Sequence, residues 1–154
     1  MAPLVVNDLQ SLKELVGREI GVSEWLCVTP ERVERFAEAT ADRQWIHLDN
    51  ERARKESPYG GTIAHGFLTL SLISHLMKDV LEIREVRLAV NYGLNRVRFP
   101  AAVRTDSRVR ARITLLALKE LPDSAEAVFA VTVEIEKSEK PGCVAEWIVR
   151  YYPR

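Results

Sequence analysis

The chain has 154 residues, 22 lysines and arginines against 22 aspartates and glutamates, and 47% hydrophobic residues. This length fits a single domain over 1–154 with a real core, and the cancelled charge provides no overall field to draw the chain to nucleic acid or to an anionic membrane. No apolar run approaches the roughly 18 residues a membrane span needs. MAPLVVNDLQ lacks a basic region followed by an apolar one, and Cys27 and Cys143 are isolated, so a cytoplasmic protein with two reduced packing thiols is expected.

Taken in chain order, Asp8 can cap a short helix over 8–16, with Leu9, Leu12, Leu15 and Val16 on one face and Gly17 as its stop. A strand is expected around Val22 to Val28. Thr29, with Pro30 at the first helical position, then opens a second helix whose apolar face holds Val33, Phe36, Ala37 and Thr40, ending near Ala41. Asn50 can cap a brief helical turn through Ala53, and Ser57-Pro58-Tyr59-Gly60-Gly61 reads as a loop. The stretch from Ile63 to Leu81 is apolar on nearly all sides and predicts one long helix buried by surrounding structure. From Glu85 the period changes to two, in Val86, Leu88, Val90 and Tyr92, then Val109 to Leu115, then Ala127 to Ile135. Pro122-Asp123-Ser124 and Lys140-Pro141-Gly142 supply turns, and the last strand runs from about Cys143 to Tyr152. Helices first and antiparallel strands after imply an α+β layer, with the sheet curled around the long helix.

The stretch ATADRQWIHLD carries the candidate chemistry. Asp42 and His47 stand five positions apart in a loop, a spacing that is weak evidence by itself. Trp45, Ile46 and Leu48 give the histidine apolar neighbours that lower water access, so one shared water could be held between imidazole and carboxylate for general acid and base work. Trp45, between the pair, is expected to line a pocket or brace the loop. In GGTIAHG, Gly66 falls in the first turn of the long helix, where a free N–H and the helix dipole favour an oxyanion or a polarised carbonyl. Gly66 could equally serve only to let the helix pack closely. His75 is expected as a hydrogen-bonded histidine in the core or at an interface. Asp42, His47, Asp49 and His65 are suitable zinc ligands by type, but no recognisable metal spacing accompanies them. Neither GxGxxG, a P-loop nor GxSxG is present.

The string from Phe36 to Ser74, with its D-x4-H-x-D followed by G-x-I-A-H-G, resembles the hydratase motif of the MaoC-like dehydratases, the (R)-specific enoyl-CoA hydratases, and most of all their nodulation-protein-N-like branch. The resemblance implies a hot-dog fold, a curved antiparallel sheet wrapped around a long central helix, assembled as a homodimer or higher. It makes Asp42 and His47 the catalytic pair, Gly66 the backbone donor to the thioester oxygen and Ser74 a supporting serine near the catalytic carboxylate. Gln44-Trp45 departs from the Asn-Pro commoner in the family.

The implied reaction is reversible addition of water to a trans-2-enoyl thioester, with no metal or redox cofactor and an acyl-CoA or acyl-carrier-protein thioester as substrate. Two alternatives share fold and ligand: a hot-dog acyl-CoA thioesterase, and a non-catalytic acyl-thioester binding protein. Thioesterases of this fold often carry their carboxylate on the central helix, which here has no acidic residue before Asp79. The eight arginines from Arg84 to Arg112 read as a solvated sheet face, and none is assigned to the CoA phosphates.

Overall fold

A computed structural model describes residues 2–154. The first strand, β1 (Leu4–Val6), is followed by α1 (Leu9–Lys13), whose Ser11 amide donates to the Asp8 carboxylate at 2.8 Å. This helix ends earlier than expected, in turns that lead to Gly17 at φ 89°. The single strand expected at 22–28 is two pieces, β2 (Glu19–Val22) and β3 (Leu26–Cys27), both paired to β6 (Arg108–Glu120). At Ser23 a side chain stands in for backbone pairing: its Oγ accepts the Ala111 N–H at 2.8 Å.

Thr29 and Pro30 open α2 (Pro30–Thr40) as their types require, and Ala41 closes it in the left-handed region at φ 61°. Then come α3 (Trp45–Leu48) and α4 (Asn50–Glu56). Asp49, not Asn50, caps α4, accepting from the Arg52 amide at 3.0 Å; its negative charge suits the positive helix end.

The long helix also departs from expectation. Ile63 forms a bridge with Arg104 and Ala64 N–H donates to Val103 O at 2.7 Å, so helix begins only at Gly66. It runs as α5 (Gly66–Ser71) and α6 (Ile73–Leu76), then a 3-10 turn over Met77–Asp79. Leu72 interrupts the regular pattern, yet the amides of Leu72 and Leu76 still reach Leu68 O and Leu72 O at 3.0 Å. Leu81, expected inside this helix, starts β4 (Leu81–Ile83), which pairs in parallel with β1. His75, expected in the core or at an interface, is not in the core of the chain but exposed on its surface.

The remaining strands are β5 (Val86–Arg98), β7 (Ala125–Ile135) and β8 (Cys143–Pro153), and the main sheet has the order β2-β6-β7-β8-β5. Only β6, β7 and β8 form a meander; β5 crosses to the far edge beside β8. Burial alternates strictly along β7 and β8, and their inner residues Phe129, Val131, Trp147 and Val149 share one core cluster with Leu68, Leu72, Ile73 and Leu76 of the helix. Apolar burial of this kind contributes about 25 cal/mol per Å² and fixes the helix in the hollow of the sheet. On the outer face, Arg108 pairs with Glu136, and Arg110 and Arg112 with Glu134 at 2.7 and 3.3 Å, as expected of a solvated face. Both cysteines are free, and burial pushes the Cys143 thiol up to about 11.

Removing the Ser23 hydroxyl should orphan the Ala111 N–H inside the sheet, so Ser23→Ala is expected to cost about 1–3 kcal/mol. Urea denaturation would register this as a lower midpoint at unchanged slope; an unchanged midpoint would mean that the bond carries nothing.

Candidate active site

The left-handed cap at Ala41 turns the chain out of α2 and leaves Asp42 exposed at the mouth of the following loop. Three residues later the chain makes a single helical turn, α3, and this turn, rather than an open loop, carries His47 inward to 8% exposure. Its Nδ1 lies 2.7 Å from Ile63 O. A carbonyl only accepts, so Nδ1 carries the hydrogen and the lone pair of the neutral ring sits on Nε2. Burial, first, holds His47 below the usual imidazole range; the Ile63 carbonyl opposes this, His65 adds to it and Asp42 opposes it.

The segment 61–65 reaches His47 because it is tied on two sides. Ile63 N–H donates to Ile46 O at 3.1 Å, while Thr105 N–H donates to Thr62 O at 3.0 Å and the two threonine hydroxyls meet at 2.8 Å. Arg104 donates from Nη2 to Gly60 O at 3.0 Å and lies so close to Gly61 that a Cβ there would stand 2.8 Å from the guanidinium. His65, at the end of the segment, is 3% exposed. Its Nε2–H donates to the Asp42 backbone carbonyl at 2.9 Å, and its ring stacks on His47 with centroids 3.7 Å apart and planes 20° apart. Phe36 of α2 covers it at 4.9 Å.

Asp42, His47 and His65 each present one potential ligand atom, all within 4.8 Å of one another. One water hydrogen-bonded at ordinary length to two groups spans about 4.6 Å between them, a separation that the 4.8 Å bound on this cluster admits. A metal fits poorly. Imidazole lone pairs lie in the ring plane at about 2.0–2.1 Å from a zinc ion, and two rings stacked face to face cannot both aim at one ion.

Gly66 follows directly as the first residue of α5, and its amide is one of the first-turn donors that a helix leaves unpaired. The Phe99 ring, just beyond β5, has carbons 3.1 Å from where a Gly66 Cβ would stand. The close neighbour that glycine admits is therefore this ring. Trp45 opens α3, half-buried, with the Arg52 guanidinium 4.1 Å over its indole, which ties α3 to α4. Ser74 is not gathered with the others. It lies eight residues along the helix from Gly66, on the wall of a separate groove of about 370 Å³, where Asn91 donates to its Oγ at 3.4 Å and Trp147 to Asn91 at 3.1 Å. Nothing in the sequence signals the Ile63 carbonyl's part, and His65 stands there only as a zinc ligand by type and within the A-H-G tripeptide.

A sheet wrapped on a helix, with an acidic residue and a buried histidine at the helix mouth, defines the hot-dog class. The family model for the MaoC like domain matches residues 11–138, and the chain belongs to that family. It is 50% identical over 146 residues to the 3-hydroxyacyl-thioester dehydratase Z of Mycobacterium tuberculosis, covering 94% of this chain and 96% of that one. To Nodulation protein N of Rhizobium leguminosarum bv. viciae it is 46% identical over 143 residues, covering 92% and 89%. The fold is shared with the unliganded R-hydratase PhaJ1 from Pseudomonas aeruginosa, at TM-score 0.72 and 22% identity over 90% of this chain and 83% of that one. No helix among the described residues is long and apolar enough to cross a membrane.

Proposed function

We propose that the chain is a 3-hydroxyacyl-thioester dehydratase, an (R)-specific enoyl-CoA hydratase in the reverse direction, adding water across a trans-2-enoyl thioester carried on CoA or acyl-carrier protein. The observation that carries the reading is His47 with its Nδ1 hydrogen committed to Ile63 O, in a cluster with Asp42 and His65 whose potential ligand atoms lie within 4.8 Å of one another. The name of the mycobacterial relative and the family itself agree with it. Water held between Asp42 and His47 Nε2 gives up a proton to the pair as its oxygen bonds to the β-carbon; the pair returns a proton to the α-carbon, so the enzyme ends unchanged. Negative charge gathers meanwhile on the thioester oxygen, where the Gly66 amide can donate. The rival thioesterase reading finds no support on the central helix: its acidic residue, Asp79, sits at the far end and accepts from the Glu24 amide at 3.3 Å.

Crotonyl-CoA is the direct substrate test, with loss of the enone absorbance and no free thiol as the expected result. Release of free thiol would mean a thioesterase, and no reaction would favour a binding protein. Asp42→Asn and His47→Gln should each lower turnover by about two to four orders of magnitude while thioester binding survives. Since Nε2 must be unprotonated to accept, activity should fall as pH drops through the depressed His47 pKa, placing the acid limb below about 6.5. Gly66 offers a backbone test. His65 already has φ −59° and ψ 138°, the conformation a following proline requires, and proline is tolerated at a first helical position. In a Phe99→Ala background, which clears the ring, Gly66→Pro should fold and lose about 10²–10³ in turnover relative to Phe99→Ala alone. Retention of full turnover would remove the amide from the mechanism.

The same reading extends to assembly as a homodimer through β5. This 13-residue strand pairs only with β8, and Leu88, Val90, Tyr92 and Leu94 along it are all exposed, Tyr92 by 55%. An apolar unpaired edge of that length invites a second copy. Light scattering at micromolar concentration should give twice the chain mass; a monomer would contradict the assembly.

A further inference from the structure

We propose that His65 is a positioning residue for the Asp42/His47 pair, holding the backbone of the first through its Nε2–H and the ring of the second through its face. The inference rests on the hydration reading for its kinetic consequences, and on geometry alone for its contacts. His65 is 3% exposed, and its hydrogen bond reaches back 23 residues to the Asp42 carbonyl at 2.9 Å. That carbonyl belongs to an exposed residue just past a helix end, where little else fixes the chain: the Asp42 amide and the Gln44 amide make only long contacts of 3.4 Å, to Thr40 Oγ1 and Asp42 Oδ1. Without the imidazole donor the loop would keep only these contacts and the exposed Arg43–Glu34 ion pair at 2.8 Å, which solvent weakens. On its face the same ring stacks on His47 at 3.7 Å, while Phe36 meets it tilted at 4.9 Å.

A packing role alone would not select this side chain. With Nε2–H donated, Nδ1 of the neutral ring holds a buried lone pair, and it has no hydrogen-bond partner. Leaving a buried polar atom unmet costs stability that a leucine or phenylalanine at this position would not incur. The polar ring is therefore explained by what its other nitrogen and its face hold. One side chain thus ties together the exposed and buried halves of the site, and sets their separation. Small errors in that separation are expensive, since a displacement of about 1 Å can cost about 100-fold in rate.

His65 also shares the electrostatic surroundings of His47. Asp42 and His65 face the His47 ring directly, and Glu31, Glu34 and Arg35 of α2, with Asp106, line the open cavity on which it borders. His65 acts with burial to depress His47, whereas Asp42 opposes them. Its replacement by a ring that cannot take up a proton should release part of that depression.

Three variants separate the contacts. His65→Ala removes both, His65→Phe keeps a ring on His47 without the donor, and His65→Gln keeps an amide donor for the Asp42 carbonyl without the ring. In His65→Ala, kcat on crotonyl-CoA should fall by about 100-fold with KM changed by less than about twofold, and His65→Gln should recover about tenfold of that loss. NMR titration of the His47 imidazole, which needs no activity, should show its pKa raised in His65→Phe and His65→Ala. The proposal is overturned if folded His65→Ala keeps kcat within about threefold of wild type. It is equally overturned if Ala, Phe and Gln variants lose the same activity while the His47 titration stays put, the pattern of a plain core residue. Should His65→Ala not fold, the Phe and Gln variants and the titration decide by the same criteria. If Asp42→Asn and His47→Gln both keep turnover while His65 variants still move the His47 titration, the hydration reading fails and the clamp stands.

Discussion

The bond from His47 Nδ1–H to the Ile63 carbonyl, 2.7 Å long and buried, joins two pieces of chain that the rest of the fold holds in place separately. α3 hangs from the end of α2, and the segment 61–65 is strapped to residues 103–105 beside the sheet. Without this bond the imidazole would have an apolar seat but no defined tautomer. With it, one nitrogen is spent on structure and the other is left for chemistry. The helix of the hot-dog core starts only three residues beyond Ile63, so the geometry of the whole sheet reaches the site through one short strap.

The two members of the pair are treated differently by the fold. His47 is buried, and burial keeps it neutral at physiological pH, which an acceptor of a water proton requires. Asp42 is exposed, its carboxylate open to solvent. A buried base and an exposed carboxylate suit a reaction in which water must be both held and partly desolvated. The Gly66 amide adds its partial charge from the next element, without any further side chain.

Much of this could be read in the residues, for definable reasons. Asp8 and Thr29-Pro30 are side-chain caps, which act locally, and the alternation in β6, β7 and β8 reflects one buried face. The Asp42 and His47 spacing brought the pair out because their neighbours are apolar. What escaped was set by backbone partners far away in sequence. Ile63 and Ala64 are as apolar as the helix after them, and bonds to Ile46, His47 and Val103, with the bridge to Arg104, keep them extended. The three-residue strands β1 and β4 are too short to show a period, and Ser23 breaks one expected strand by offering a hydroxyl to Ala111. His75 lies on the outward face of the helix, which its largely apolar surroundings in sequence do not reveal. Ser74 matches the family motif in spacing, but within one chain it faces another groove.

The account turns on a single water shared by Asp42 and His47. A high-resolution crystal structure of the protein at neutral pH tests it most directly. The account predicts one ordered water within hydrogen-bond distance of both the Asp42 carboxylate and His47 Nε2, with Nδ1 still on Ile63 O. A carboxylate turned away from the ring with no bridging water, or a His47 ring flipped so that Nδ1 faces Asp42, would contradict it.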